Sequence, residues 1–219
     1  MKTTAIEQMT VEHHYIETVI KSLRDAAAAL DQCRRLNVQK LRSVVEFLQI
    51  YADQRHHQRE EAMFFPVLVK RGVPPQGCPI GGLNREHEKG RALVSALGEC
   101  ITFYEQQRPG ADIELRQTLQ AIADLYQKHL WTEDAMVFPM AQKLITADDN
   151  RALTKQFADL DGKIGVETIQ RLEKFAGSLL FQTGSIAPDV NQSAALCAAR
   201  HQPVHSRHAT NLITERTTI

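Results

Sequence analysis

Net charge is missing from this chain: 26 Lys and Arg balance 26 Asp and Glu. Without an excess of either sign there is no electrostatic footprint for nucleic acid or an anionic membrane, and neither is expected as a partner. Long apolar runs are missing too, and no stretch approaches the roughly 20 residues a membrane span requires. Cysteine is scarce. The four (Cys33, Cys78, Cys100, Cys197) are scattered with no C-x-x-C pair, which excludes a closed thiolate zinc site. The opening "MKTTAIEQM" lacks the basic stub and apolar block of a signal peptide. Reduced thiols in a cytoplasmic protein are therefore expected. Convincing β alternation is also absent.

What the sequence has instead is helical periodicity, in five segments. The first places Ile6, Met9, His13, Ile16, Ile20 and Leu23 on one face. The second places Leu41, Val45, Leu48, Ala52, His56, Glu60, Met63 and Val67 there. After "KRGVPPQGCPIGG", whose prolines and glycines mark a loop, a third carries Leu83, His87, Gly90, Val94, Leu97 and Ile101. The turn "RPGAD" leads to a fourth with Leu115, Leu119, Ile122, Tyr126, His129, Glu133, Met136 and Met140. A fifth starts near Thr146–Asp148 and aligns Leu153, Phe157, Leu160, Ile164, Leu172, Phe175 and Leu179. The expected fold is all-α: an up-down four-helix bundle with an additional C-terminal helix, spanning residues 1–182 as one domain. Residues 183–219 are small, polar and aperiodic, which predicts an irregular tail.

Each of the four bundle stripes carries one histidine, and two carry a glutamate one turn later. A single histidine on a core stripe is ordinarily a satisfied core residue. Four at similar depth with two carboxylates are different, because an unpaired buried carboxylate costs on the order of several kcal/mol. No lysine or arginine lies on these stripes. A metal ion would supply the missing positive charge.

An internal repeat fixes the register. "HHQREEAMFFP" (56–66) lies over "HLWTEDAMVFP" (129–139), so His56 falls on His129, Glu60 on Glu133, Met63 on Met136 and Pro66 on Pro139, an offset of 129 − 56 = 73. "EHHYIETVIKSL" lies over "EHEKGRALVSAL", placing His13 on His87 at an offset of 74. His57, Glu61 and His14 find no symmetric partner on this reading and are expected in an outer shell or at the surface. Residues i and i+4 share a helix face about 5–6 Å apart. Each H-x-x-x-E pair can thus offer an imidazole to one ion while its carboxylate reaches a second. Mixed imidazole and carboxylate ligation suits iron, manganese or zinc rather than calcium or magnesium.

With "EHHYIE", "HHQREEAMFFPVL", "RGVPPQGCPIGGLNREHEKGR" and "HLWTEDAMVFPMA" in place over roughly residues 5–180, the chain resembles the hemerythrin-like, HHE cation-binding proteins. The resemblance implies an up-down bundle around two iron ions joined by an oxo or hydroxo bridge, with manganese or zinc as substitutes. It implies His13, His56, His87 and His129 as histidine ligands and Glu60 and Glu133 as bridging carboxylates. The oxygen-carrying hemerythrins of invertebrates have a further histidine one turn along the third helix, where this chain has Arg91. That points to the symmetric four-histidine variety and counts against reversible oxygen carriage.

Three functions stay open: a module binding O2, NO, peroxide or iron itself in sensing, an enzyme reducing peroxide or nitrogen oxides, and a structural zinc bundle. The Glu-x-x-His pattern of ferritin-like oxidases is absent, since Asp53 and Tyr126 stand three before His56 and His129. Asp53 is a candidate acceptor fixing the tautomer of His56. Tyr126 is either a packed core aromatic or a donor of a proton or electron to the metal. Met63 and Met136, with Phe64, Phe65, Trp131 and Phe138, are expected to pack the core and the lower helix surfaces, the two methionines also being candidates beside the centre. Pro66 and Pro139 predict a kink or helix end just past the ligands. Where Ile16 follows His13, Gly90 follows His87; that glycine either leaves room for a small ligand or allows close helix packing.

Overall fold

The computed structural model describes residues 3–179. Helix α1 (Ala5–Asp31) starts at a capping box in which the Thr4 hydroxyl accepts from the Glu7 amide and the Glu7 carboxylate accepts from the Thr4 amide. Helix α2 begins as Val38–Phe47 under an Asn37 cap. It continues without a break through π-helical turns at Leu48–His57 and Glu60–Phe64 into Phe65–Lys70. Helix α3 is Ile80–Glu105. Helix α4 runs Ala111–Thr132, then a π turn at Glu133–Val137, then Phe138–Leu144. Helices α5 (Ala147–Ile164) and α6 (Val166–Leu179) follow. No strand occurs among the described residues, and no helix among them is long and apolar enough to cross a membrane.

The first four helices form the expected up-down bundle. Side-chain bonds between neighbours run in opposite order along each pair: Arg24 meets Asp124 while His13 meets Asp134, and Arg42 meets Glu105 while Glu61 meets His87. Two separate apolar clusters stack along the bundle. One includes Ile16, Leu23, Leu48, Ala52, Val94, Leu97, Leu119 and Leu130. The other includes Ile6, Met9, Phe64, Phe65, Leu83, Val137 and Phe138. The polar residues between Met9 and Ile16, and between the matching positions on the other helices, form a layer with hydrocarbon on both sides.

Three expectations need correction. The fifth periodic segment is two helices, broken at Gly165, whose φ of +96° only glycine adopts freely. Past Glu60 and Glu133, the apolar stripes slip by one residue. The expected Met63 and Val67 are replaced in the core by Phe64 and Leu68, and Met136 and Met140 by Val137 and Ala141. The π turns explain this: their i→i+5 bonding adds one residue per turn just before Pro66 and Pro139, which have no amide hydrogen to donate. Met136 is consequently 54% exposed, and Trp131 is 64% exposed rather than packed. Finally, Cys78 and Cys100 are free thiols but Cys33 is disulfide-bonded. The predicted tail, 183–219, lies outside the described residues.

Candidate metal centre

Each bundle helix delivers its stripe histidine to the polar layer, and the six residues expected as ligands meet there. The Nε2 atoms of His13 and His56 lie 3.1 Å apart, as do those of His87 and His129. Two nitrogens bound at right angles to one ion, each about 2.1 Å from it, would be about 3.0 Å apart. Glu133 turns one oxygen to each pair, Oε2 3.2 Å from His13 and Oε1 3.3 Å from His129. Glu60 places Oε2 3.7 Å from His56 and 3.4 Å from His87. Two four-residue groups result, His13, His56, Glu60, Glu133 and Glu60, His87, His129, Glu133, sharing both carboxylates.

Behind every one of these histidines stands a second acid. Asp134 accepts from His13 Nδ1 at 2.8 Å, Glu12 from His56 at 3.0 Å, Glu61 from His87 at 2.7 Å and Glu86 from His129 at 3.1 Å. A carboxylate acceptor holds the proton on Nδ1 and aims the Nε2 lone pair inward. These four acids repeat with the same offsets, Glu12 with Glu86 and Glu61 with Asp134. Glu61 therefore does have a symmetric partner, Asp134, alike in charge but not in identity. Phe65 and Phe138 repeat likewise, stacking on His87 and His13 with ring centres 6.2 and 5.0 Å apart.

The carboxylates at the centre are short of partners. Glu60 and Glu133 are fully buried, and none of their four oxygens receives a hydrogen bond. Such a pair needs cations. In the metal-free protein that demand falls on protons. Burial alone would lower His13, but the Asp134 and Glu133 carboxylates outweigh it and push it up to about 10. Burial is likewise outweighed at His87, where Glu60 and Glu61 push it up to about 9. Glu133 is driven down against its burial by His129, His13 and His87. Orphaned carboxylates, converging lone pairs and a His4Glu2 donor set together fit a pair of borderline-to-hard metal ions.

The surroundings are less symmetric. Glu12 is buried and held by two guanidiniums that the sequence reading did not place in the core. Arg59, with no exposed surface, bonds Glu12 and reaches Asp161 of α5 at 2.6 Å, with its guanidinium over the Phe157 ring. Arg55 bonds Asp161 at 2.9 and 3.1 Å and Glu173 of α6 at 3.4 Å. Burial would raise Glu12, but its bond to His56 and the charges of Arg59, His56 and Arg55 bring it down. Both arginines leave the ligand stripe on the side facing α5 and α6, so stripe counting could not find them.

The remaining candidates are placed as follows. Asp53 does not touch His56; it takes His57 Nδ1 at 3.3 Å and Arg91 Nε at 2.8 Å, because it sits one turn before His57 rather than before His56. His57 is buried, not a surface residue. Tyr126 is buried against Gly90, and a Cβ at Gly90 would lie 3.5 Å from its hydroxyl. The glycine thus accommodates a tyrosine ring. Ile16 lies in the apolar cluster beside the layer, and Met63 is half-buried at the edge of the other.

Fold and site together define an all-helical cation-binding bundle. The sequence matches the hemerythrin HHE cation binding domain over residues 4–141, and the chain belongs to that family. Curated relatives include uncharacterized proteins of Mycobacterium bovis and of two strains of Mycobacterium tuberculosis, each 22% identical over 170 residues. The aligned stretch covers 76% of this chain and 66% of each relative, just under two thirds of their length. No solved structure matches.

Proposed function

We propose that this chain is a di-iron protein of hemerythrin type that takes up O2, NO or peroxide in oxygen, redox or iron sensing. One iron would lie between His13 and His56, the other between His87 and His129, with Glu60 and Glu133 shared and an oxo or hydroxo group joining the ions. The observation that carries this reading is the pair of four-residue groups with both carboxylates in common. Iron, when bound, would supply the redox chemistry. The chain's own residues do the rest. The four outer acids fix each imidazole's tautomer and angle, and Phe65 and Phe138 cover His87 and His13 against water.

Metal analysis with an optical spectrum, on protein from iron-supplied cells before and after peroxide, tests this. Two irons per chain with charge-transfer absorption that responds to peroxide is the expected result. Two colourless zinc ions would make the bundle structural. Continuous consumption of peroxide would make it an enzyme.

A further inference from the structure

His57 does not follow the pattern of the other buried histidines at the centre. The repeat places Leu130 at its equivalent position, so the imidazole exists only on one side. It is buried, yet its Nε2 has no hydrogen-bond partner, a condition that native interiors avoid unless something takes up the group. His57, His87 and His129 each offer a nitrogen within 4.8 Å of the others, a group that does not extend to Glu60 or Glu133. His57 therefore sits on the outer side of the His87/His129 pair, away from the shared carboxylates.

Ring orientation decides what it can do there. His57 stacks on His87 with centroids 3.9 Å apart and planes 15° from parallel. An imidazole binds metal in its own ring plane, so an ion in the plane of His87 lies a stacking distance out of the plane of His57. That excludes shared ligation without a large tilt and leaves Nε2 as an unpartnered group on the outer side of the His87/His129 pair. Asp53, held by Arg91, can only accept from His57 Nδ1. The proton is thus on Nδ1, and Nε2 is a hydrogen-bond acceptor.

On the two-iron reading above, we propose that His57 receives a small protonated oxygen ligand, hydrogen peroxide or water, through Nε2 at the His87/His129 side of the centre. The acceptor character selects a ligand that carries a proton over aprotic NO, and the asymmetry assigns exogenous chemistry to one half of a symmetric site.

The test compares wild type with His57→Leu, the residue of the symmetric position, and His57→Gln, which retains an acceptor. Wild type must first hold two irons; if it does not, the di-iron reading has failed and this proposal with it. Given two irons, His57→Leu is expected to keep both and to react with hydrogen peroxide on the order of ten-fold more slowly. Its NO binding should be unchanged, and His57→Gln should recover part of the peroxide rate. In metal-free wild type, nitrogen-15 NMR should show His57 as the Nδ1–H tautomer. Loss of one iron in His57→Leu would make His57 a ligand and overturn the proposal. An unchanged peroxide rate, an equal loss of NO binding, or an Nε2–H tautomer would do the same. If His57→Leu fails to fold, the glutamine variant decides on the same readouts.

Discussion

The two histidine pairs of the centre come from one repeated helix pair, and their immediate partners match position for position, an acid behind each imidazole. Their settings do not. Behind His56, Glu12 is 1% exposed and clamped by Arg55 and Arg59, which are anchored in turn by Asp161 and Glu173 of α5 and α6. Behind His129, the equivalent Glu86 is 22% exposed and meets Lys128, itself 74% exposed. A repeat can copy ligands but not neighbours, and the two added C-terminal helices cover one half only. The cover reaches Glu12 and does not extend to the other acid of that half: Asp134 behind His13 is 40% exposed, and Glu61 behind His87 is 28% exposed.

The largest expected effect ignores the difference between halves. Glu60→Ala or Glu133→Ala should lose most of the bound metal on both sides, because each carboxylate reaches both pairs; full occupancy in metal analysis would refute the shared-ligand geometry. Next comes the contrast itself. Arg59→Met removes one of the two guanidiniums that hold Glu12 and Asp161 and leaves Arg55, a change expected to cost about 1–3 kcal/mol in chemical denaturation. Lys128→Met at the corresponding exposed pair should be nearly silent. Equal effects would mean that the cover of α5 and α6 does not distinguish the halves.

Proton linkage offers a finer comparison in the metal-free protein. His13, at about 10, and His87, at about 9, lie above the unfolded value near 6.5. Their stabilisation is full below about pH 6.5 and is lost as pH rises through 9 and 10, His87 losing its proton before His13. Thermal melts from pH 6 to 10 should show falling stability without metal and a flatter profile with it. Metal uptake near neutral pH should release protons. The smallest effect belongs to Gly90→Ala: its Cβ would make ordinary contacts of 3.5–3.8 Å with Tyr126 and Leu125. Removing a helix-interior glycine offsets these by up to about 1 kcal/mol. Metal content and melting point should hardly change; a collapse of either would show that Gly90 guards a space that Tyr126 does not fill.

Much of this was legible in the sequence because periodicity and repetition report on what faces inward. Helices, bundle and the histidine and glutamate cluster follow from the 3.6-residue period and the offsets of 73 and 74. The outer acids were in the quoted motifs, but Glu61 and Asp134 match in charge rather than identity. Arg55 and Arg59 stayed hidden because a residue off the stripe reads as solvated until another helix is known to cover it. Asp53 serves His57, one residue on from the expected His56, and Met136, expected on the core stripe, is exposed. Both residues lie on helices with π turns.

The π turns at Glu60–Phe64 and Glu133–Val137 have a consequence for insertions and deletions. Removing one residue from an α-helix ordinarily rotates everything downstream by about 100° and turns the core face to water. Here each turn already contains one residue more than the α repeat needs. Deleting the exposed Ala62 or Ala135 would return the turn to α geometry and leave Phe64 and Leu68, or Val137 and Ala141, in their present places. The shortened chain should keep its helical circular dichroism while Glu60 or Glu133 shifts against the facing histidines and metal is lost. The extra residue would then serve the centre and not the scaffold, so that the length of the chain at these two points is itself part of the binding site.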